Sequence, residues 1–233
     1  MGSVNGVLVL THNNLKLNKK CIESIQNQDI PTYLFVFDNG STDGTSEWLV
    51  ECGFAGMAHP ENKGVSAGWN IGLEFLFEDP AIDNVLVLNS DTILPPWFYR
   101  TLLECNVPFV TGVSFEDLAE VMKPPTVSLT GGPDFSAFLI RREAWEKVGP
   151  FNEDMKHYAS DNDWHVRAHR AGVMLYNSHV KFYHERSSTL KNAGPKDQRE
   201  IQLQADADRD VFKEIYGVYP WEKGYAELFK QDG

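Results

Sequence analysis

The sequence predicts one α/β domain with a mostly parallel central sheet flanked by helices. Three short apolar runs, at residues 7–10, 33–37 and 85–88, are continuous rather than alternating in polarity. Strands that helices cover on both faces have this pattern. Segments with apolar residues at helical spacing separate the runs, and 233 residues suffice for one domain with its own core.

The first half of the chain has the order β-α-β-α-α-β. Leu15, Ile22 and Ile25 recur at helical spacing and predict a helix over residues 15–28. Two further helices are expected between the second and third apolar runs, at residues 44–51 and 65–77. This order is typical of α/β folds that bind nucleotides.

The second half is predicted to be mixed α/β. Gly172 follows a helical segment and is expected to cap it, while residues 187–195 are polar and expected to be mobile. The predicted elements are helices at 95–104, 142–148, 161–171 and 196–216 and strands at 135–140, 173–176 and 180–184.

Composition excludes several classes of protein. A formal net charge of −12 without a run of basic residues argues against a nucleic-acid partner. No apolar stretch approaches the roughly 18 residues that cross a bilayer, and the first residues lack the basic segment of a signal peptide, so we expect a cytoplasmic protein. Cys21, Cys52 and Cys105 form no CxxC pair and are expected to be reduced and mostly buried.

Each of the three apolar runs stops at a polar cluster. The clusters begin at Thr11, Asp38 and Asn89. In open parallel sheets the ligand crevice lies at the carboxyl ends of the strands, where these clusters would converge. An acidic chain that binds an anionic diphosphate there needs carboxylates that hold a divalent cation, since it offers no evident basic pocket.

Two of the strand-end carboxylates are candidate ligand contacts. Asp38 ends a strand and is poorly placed to cap the following helix, so it could accept a hydrogen bond from the imide of a uracil or thymine ring. Ser41 and Asp43 are equally well explained as helix caps. Asp91 is of a type that binds Mg²⁺ or Mn²⁺, although an isolated strand-terminal Asp is commonly a turn former.

The segment 62–72 starts a helix with many small residues. Close packing on the sheet explains Ala67 and Gly72, whereas Gly64 and Gly68 could let the backbone approach a ligand. Asn70 could then donate a hydrogen bond to that ligand.

The second half contributes further candidates. Asp161 and Asp163 lie in the first turn of a predicted helix, where the helix dipole favours carboxylates whether or not they are catalytic. Asp163 is better explained as a structural acid, and Asp161 as a base that accepts a proton. His184 ends the last predicted strand and is either a core histidine or a site residue.

Together these motifs resemble the family 2 glycosyltransferases, which have the GT-A fold. The resemblance covers residues 4 to about 188. It rests on the early strand end with Thr11 and Asn13, on DNGSTDGT, NKGVSAGWNIG, LNSDT and FLIRREAWEKVGPF, and on Asp161-Asn162-Asp163 with Arg167 and His184.

The resemblance implies roles for individual residues. Asp161 would be the catalytic base, and Asp91 and His184 would hold Mn²⁺ or Mg²⁺. The nucleotide-sugar contacts would be Thr11, Asn13, Asp38, Asn70, Asn89 and Asp91. Two departures are Ser160, where the family often has Glu, and Asn89, where it often has Asp.

The resulting hypothesis is an inverting glycosyltransferase. It would move a sugar from a UDP- or dTDP-sugar to a hydroxyl of a glycan or glycoconjugate, including one presented at a membrane surface. Residues 1–92 would bind the donor, residues 93–190 the acceptor, and residues 191–233 would form a helical tail.

Two alternatives belong to other functional classes. A sugar nucleotidyltransferase should carry a Gly-rich basic loop near the amino terminus, and residues 11–17 contain neither Gly nor Arg. A non-catalytic carbohydrate-binding domain of the same fold would be consistent with Ser160 and Asn89.

Overall fold

The computed structural model describes residues 4–185 and 194–230. Its first half alternates strands and helices. The elements are β1 Val4–Thr11, α1 Leu15–Gln26, β2 Tyr33–Asn39, α2 Thr45–Glu51, β3 Gly56–His59, α3 Val65–Glu78 and β4 Ile82–Asn89.

The second half is mixed, as predicted. Its elements are β5 Thr92–Ile93, α4 Phe98–Glu104, β6 Phe109–Phe115, α5 Leu118–Val121, β7 Ala137–Arg141, α6 Arg142–Val148, α7 Ser160–Arg170, β8 Leu175–His184, α8 Pro195–Tyr216 and a 3₁₀ helix, Lys223–Phe229.

The strands form one sheet in the order β3-β2-β1-β4-β7-β6-β8-β5. β1, β2, β3 and β4 are parallel to one another, and β6 is parallel to β8. β7 runs antiparallel between β4 and β6, and β5 is antiparallel to β8. The carboxyl ends of β1, β2 and β4 therefore share one edge, as the sequence predicted.

Two apolar layers cover the sheet. Alternate residues of β1 face opposite sides: Leu8 and Leu10 join the cluster under α3, whereas Val7 and Val9 join the cluster under α1 and α4. This arrangement explains the continuous apolar runs, because both faces of the strand are buried.

α3 packs unusually close to β1. A Cβ atom added at Gly72 would lie 2.3 Å from a methyl group of Leu8, and one at Gly68 would lie 2.4 Å from a methyl group of Leu10. The packing role predicted for Gly72 is confirmed. Gly68 has the same role, so the expectation that it lets the backbone approach a ligand is wrong.

The sequence missed several strands and the short α5. β3 and β5 contain four and two residues, and β6 lacks a continuous apolar run. The two strands predicted at 173–176 and 180–184 are one strand, β8, with an irregularity at His179, whose φ is 60°. The segment predicted to be mobile, 187–195, lies mostly in residues 186–193, outside the described residues, and Pro195 begins α8.

The carboxyl-terminal helix predicted at 196–216 is present as α8, and it docks on α7. Phe212 of α8 is fully buried against Met155, Ala159 and Val166, and Tyr225 of the 3₁₀ helix packs on the same cluster. Gly172 follows α7 with φ 68°, as expected of a helix cap.

Two further observations concern cysteines and membranes. All three cysteines are free, but Cys52 is exposed and Cys105 is half-buried, so the expectation of mostly buried cysteines holds only for Cys21. Within residues 4–185 and 194–230, no helix has both the length and the apolar character needed to span a bilayer.

Candidate functional site

The loops after β1 and β2 are bonded to each other. The backbone N–H of Asn13 donates to the Ser41 hydroxyl (2.7 Å), and the side-chain oxygen of Asn13 accepts from the N–H of Thr42 (2.8 Å). His12 Nδ1 lies 2.9 Å from the carbonyl of Asn39. Asn13 therefore joins the two strand-end loops and fixes the shape of this edge of the sheet.

Asp38 is almost fully buried and engages the turn that follows it. One of its carboxylate oxygens accepts from the N–H of Ser41 (3.1 Å), and the other accepts from the hydroxyl of Ser46 in the first turn of α2. Asp38 therefore contacts the following helix through the Ser46 side chain, while the N-cap residue of α2 is Gly44. A carboxylate has about four acceptor positions, so these two bonds leave room for a further donor.

Gly44 rather than Asp43 or Ser41 is the N-cap residue of α2, but Asp43, which precedes Gly44, bonds to the first residues of two helices. Its carboxylate accepts from the N–H and the hydroxyl of Thr45 and from the N–H of Leu15 (2.9 Å). Burial alone would raise the pKa of Asp43, but these hydrogen bonds outweigh it and lower the pKa. One carboxylate thus ties together the starts of α1 and α2.

Thr11 and Asn89 lie at the ends of two neighbouring strands. Thr11 is 2% exposed, and within the described part of the chain its hydroxyl has no hydrogen-bond partner. Asn89 is half-buried, and its carbonyl rather than its side chain holds the Thr92 hydroxyl (2.7 Å). An unpaired buried hydroxyl costs free energy, and because this oxygen is itself buried, a ligand contact by Thr11 stays a prediction.

Asn70 is bound within the protein. Its amide nitrogen donates to the carbonyl of Phe151 (2.9 Å) and to Glu153 (2.8 Å), and its oxygen accepts from the N–H of Phe151 (2.8 Å). Both amide protons are thereby used. Asn70 connects α3 to the segment before α7, so its amide N–H groups are not available to a ligand in this structure.

Gly64 makes a close contact with protein rather than with an open crevice. Its φ is 95°, and an added Cβ would lie 2.7 Å from the carbonyl oxygen of Lys156. This contact gives a packing reason for glycine at residue 64, and the approach of a ligand to its backbone stays a prediction.

Asp91, which follows β4, and His184, the last residue of β8, lie close together. Oδ1 of Asp91 lies 3.2 Å from Nε2 of His184, and the two side chains are 18% and 15% exposed. The short antiparallel pairing of β5 with β8 places Thr92 opposite His184 and so brings the two side chains together. The structure thus gathers the two residues that the sequence singled out as metal ligands.

The chemistry of this pair fits a divalent cation bound jointly with a ligand. Within residues 4–185 and 194–230, no group of three or more His, Cys, Asp or Glu side chains could hold a metal ion. One carboxylate and one imidazole would leave most positions of a six-coordinate ion to phosphate and water oxygens, as is usual for Mg²⁺ with phosphates. Asp91 and His184 therefore suit a cation that arrives with a diphosphate.

Asp161 lies in the first turn of α7 and is half-buried. The preceding Ala159 has φ 61°, an unfavourable conformation for a residue with a side chain, and such strain is common at functional sites. Burial raises the pKa of Asp161, and the nearby Asp134 carboxylate raises it further, against a hydrogen bond from Asn162 N–H (2.9 Å). A carboxylate with a raised pKa is a better proton acceptor.

Asp163 has the structural role that the sequence predicted. Its buried carboxylate pairs with Nε of Arg167 (2.8 Å) and accepts from the hydroxyl of Tyr216 (2.8 Å). Burial and the Asp163 carboxylate raise the pKa of Tyr216, so this phenol stays protonated at neutral pH. Both oxygens of Asp163 are engaged by side chains of other elements or turns, whereas the bonds to Asp161 come from backbone N–H groups of its own turn.

The loop before α7 is bonded to the start of α3. The carbonyl of Lys156 accepts from the N–H groups of Val65 (2.6 Å) and Ser66 (3.2 Å) at the start of α3. The start of α3 is itself tied to β2, because the side chain of Asn39 donates to the carbonyl of Gly64 (2.9 Å). The residues before Asp161 are thereby fastened to the edge where Thr11 and Asp38 lie.

Two residues that the sequence analysis missed organise these loops, Asn39 and Asp208. Asn39 lies in the DNGST motif, so its position beside Asp38 could have suggested it. Asp208 lies on α8 and accepts three backbone hydrogen bonds from residues 156–158. No sequence signal distinguishes it from the other carboxylates of that helix.

This arrangement defines an α/β protein whose polar strand ends share one edge of the sheet, with Asp161 in the adjoining second half of the chain. Residues 6–108 match the family model described as Glycosyl transferase family 2. This match, over slightly less than half of the chain, agrees with the family resemblance that the motifs predicted, and the mixed α/β fold is that of GT-A glycosyltransferases. A search of curated proteins found no significant match.

Solved structures share the fold at low identity. S. aureus TarS 1-349 in complex with UDP-GlcNAc is 16% identical with a TM-score of 0.62, over 98% of this chain and 77% of that one. The mannosyltransferase PcManGT from Pyrobaculum calidifontis, in complex with GDP-Man and Mn²⁺, is 16% identical with a TM-score of 0.59, over 98% and 84%.

A longer TarS structure is also similar, at 16% identity and a TM-score of 0.60. The match covers 90% of this chain, which spans only 43% of that TarS chain.

Proposed function

We propose that the chain is an inverting glycosyltransferase in which Asp161 is the general base. The observation that carries this proposal is the contrast between two neighbouring carboxylates. Asp163 has both oxygens bound to protein groups, whereas Asp161 is half-buried, has a raised pKa and lies at the end of a loop fastened to the nucleotide edge. Inversion is a single displacement and needs one such base.

The donor in this proposal is a UDP- or dTDP-sugar. Asp38 would accept the imide hydrogen of uracil or thymine with its remaining lone pairs, and Thr11 and Asn89 would line the crevice. Asn13 would shape the loop around the base through its bonds to Ser41 and Thr42. Support comes from the similar structures that contain UDP-GlcNAc and GDP-Man.

Asp91 and His184 would hold Mn²⁺ or Mg²⁺ in this proposal. The cation, when bound, supplies positive charge that offsets the negative charge of the leaving diphosphate. This agrees with a chain whose formal charge is −12, and with the Mn²⁺ in the PcManGT complex. Neither Asp91 nor His184 exchanges protons with the acceptor in this scheme.

The chemical step follows from the position of Asp161. The acceptor oxygen attacks the anomeric carbon and forms the new C–O bond, while Asp161 takes the hydroxyl proton. The bond between the anomeric carbon and the diphosphate oxygen breaks on the opposite face, and its electron pair leaves with the nucleoside diphosphate. The product sugar therefore has the inverted configuration.

The division of the chain is part of the proposal. Residues 1–92 would bind the donor and residues 93–190 would bind a glycan or glycoconjugate acceptor, with 191–233 as a helical tail. Asp161 and its preceding loop belong to the acceptor half, and their bonds to α3 would align the two substrates.

Release of nucleoside diphosphate tests the proposal. The protein is incubated with UDP-, dTDP- and GDP-sugars and glycan acceptors, in Mn²⁺ and in EDTA, beside Asp161→Asn. We expect release that needs Mn²⁺ and Asp161 with a UDP- or dTDP-sugar. Donor binding without any release would favour a non-catalytic domain, and equal release in EDTA would refute the metal assignment.

A further inference from the structure

Asp208, on the carboxyl-terminal helix α8, is a buried carboxylate that binds a distant loop. One of its oxygens accepts from the N–H of Lys156 (3.1 Å), and the other accepts from the N–H groups of His157 (2.8 Å) and Tyr158 (3.0 Å). Gln204, one turn earlier on α8, donates a fourth hydrogen bond (2.7 Å). The side chain is 0% exposed.

Four donors around one buried carboxylate form a specific arrangement. Burial of an ionised group costs free energy unless hydrogen bonds satisfy it, and here three of the four come from consecutive backbone groups. A neutral Asn at this position would turn an amide nitrogen toward at least one N–H donor. The three N–H groups could then no longer all be satisfied.

The loop that Asp208 holds is also held from the opposite side. The carbonyl of Lys156 accepts from Val65 and Ser66 at the start of α3, where Gly64 gives it room. The chain then passes through the strained Ala159 into α7 and reaches Asp161 three residues after Tyr158. The position of Asp161 is thus set by a short segment fixed at both sides.

Other residues of the carboxyl-terminal tail also contact residues on either side of Asp161. The guanidinium of Arg209 lies 5.3 Å from the centre of the Tyr158 ring. The hydroxyl of Tyr216 donates to Asp163, and Asn162 donates to the hydroxyl of Tyr225 (3.2 Å). These contacts flank Asp161 on both sides in the sequence, while its own carboxylate is bonded by backbone N–H groups of its own turn, including that of Asn162 (2.9 Å).

We propose that Asp208 is a positioning residue that fixes the loop 156–158 so that Asp161 faces the acceptor hydroxyl. This inference rests on the proposed role of Asp161 as the base. The carboxyl-terminal tail would thereby contribute to the rate of sugar transfer, because a displacement of about 1 Å at a reacting group can cost on the order of 10²-fold in rate.

A double-mutant cycle tests this inference. Transfer by wild type, Asp208→Asn, Asp161→Asn and the double variant is measured well below the melting temperature of each, with Mn²⁺-dependent donor affinity beside it. Glu214→Gln is the control, because Glu214 is an exposed carboxylate on the same helix. We expect Asp208→Asn to lower kcat about 10–100-fold, with donor affinity and the Glu214→Gln variant unchanged.

The cycle separates positioning from mere stabilisation. If Asp208 acts through Asp161, its replacement should have little further effect once Asp161 is Asn, so the losses are not additive. Additive losses, or a normal kcat with only a lower melting temperature, would overturn the inference. Asp161→Asn with normal turnover would instead overturn the proposed function itself.

A milder variant covers the case in which Asp208→Asn does not fold. Arg209→Met removes the guanidinium over Tyr158 but keeps an aliphatic chain of similar length. We expect a kcat loss of about 3–10-fold, by a smaller displacement of the same loop, again absent in the Asp161→Asn background. An unchanged kcat in Arg209→Met would then count against positioning by the tail.

Discussion

Replacement of Asp163 by Asn should destabilise the protein and leave catalysis largely intact. The Asp163 side chain is 4% exposed, and its carboxylate lies 2.8 Å from Nε of Arg167. Arg167 keeps two backbone partners, the carbonyls of Val148 (2.8 Å) and Pro150 (2.7 Å). The Asn oxygen can still accept from Tyr216. The main loss is therefore one charge-assisted hydrogen bond.

The magnitude follows from that single loss. Hydrogen bonds to charged groups contribute about 1.5–3 kcal/mol, so we expect the free energy of unfolding to fall by about 2 kcal/mol. For a domain of this size, 1 kcal/mol corresponds to about 2–4 °C. The melting temperature of Asp163→Asn should therefore fall by about 4–8 °C, while turnover at 25 °C stays within a few-fold of wild type.

Thermal unfolding and turnover of the same preparations provide the assay. Asp154→Asn is the matched control, because Asp154 is an exposed carboxylate in the loop before α7. It should unfold like wild type. A melting temperature of Asp163→Asn within about 1 °C of wild type would refute the ion-pair reasoning. A 100-fold loss of turnover at unchanged stability would make Asp163 the base instead.

Three further predictions concern the metal pair and Asp161. Asp91→Ala should weaken donor binding by calorimetry in Mn²⁺ and remove the difference between Mn²⁺ and EDTA; a retained Mn²⁺ effect would contradict the assignment. His184→Ala should reduce metal-dependent activity with little change in melting temperature without donor, whereas a loss of about 1 kcal/mol or more with a normal metal response would make it a core residue. Because the pKa of Asp161 is raised in the folded state, its ionised form disfavours folding above that pKa, and stability rises as pH falls through it. Asp161→Asn should therefore melt at or above the wild-type temperature at pH 7, and a clearly lower melting temperature would contradict this. As pH is lowered, kcat/KM of the wild type should begin to fall at a pH above the usual pKa of Asp.

The sequence predicted the parts of the fold that depend on local pattern. β1, β2 and β4 appear as continuous apolar runs because helices bury both of their faces. The sequence did not predict β6, because Thr111, Gly112 and Ser114 interrupt its apolar pattern. Gly112 is small because the Val180 carbonyl and the Phe98 ring approach it, at 2.7 Å from an added Cβ. That constraint comes from tertiary packing and is invisible in the local pattern.

The candidate site likewise contains residues that the local sequence reveals and residues whose roles depend on distant partners. Asp91, Asp161 and His184 were identified because each lies where an element begins or ends, which motif spacing reveals. The uses of Asn70 and Asp208 depend on partners far along the chain, Phe151 and residues 156–158. Asp208 looks like any solvated carboxylate of an amphipathic helix, and only the docked structure shows it buried.

The most direct test of the account is the turnover of Asp161→Asn, measured with Mn²⁺-dependent donor affinity on the same preparation. Asn preserves the size of the side chain and removes the proton acceptor. We predict that transfer falls by roughly 10²–10⁴-fold, the usual contribution of a positioned base, while donor affinity stays at the wild-type value. Near-normal transfer by Asp161→Asn would contradict the central claim.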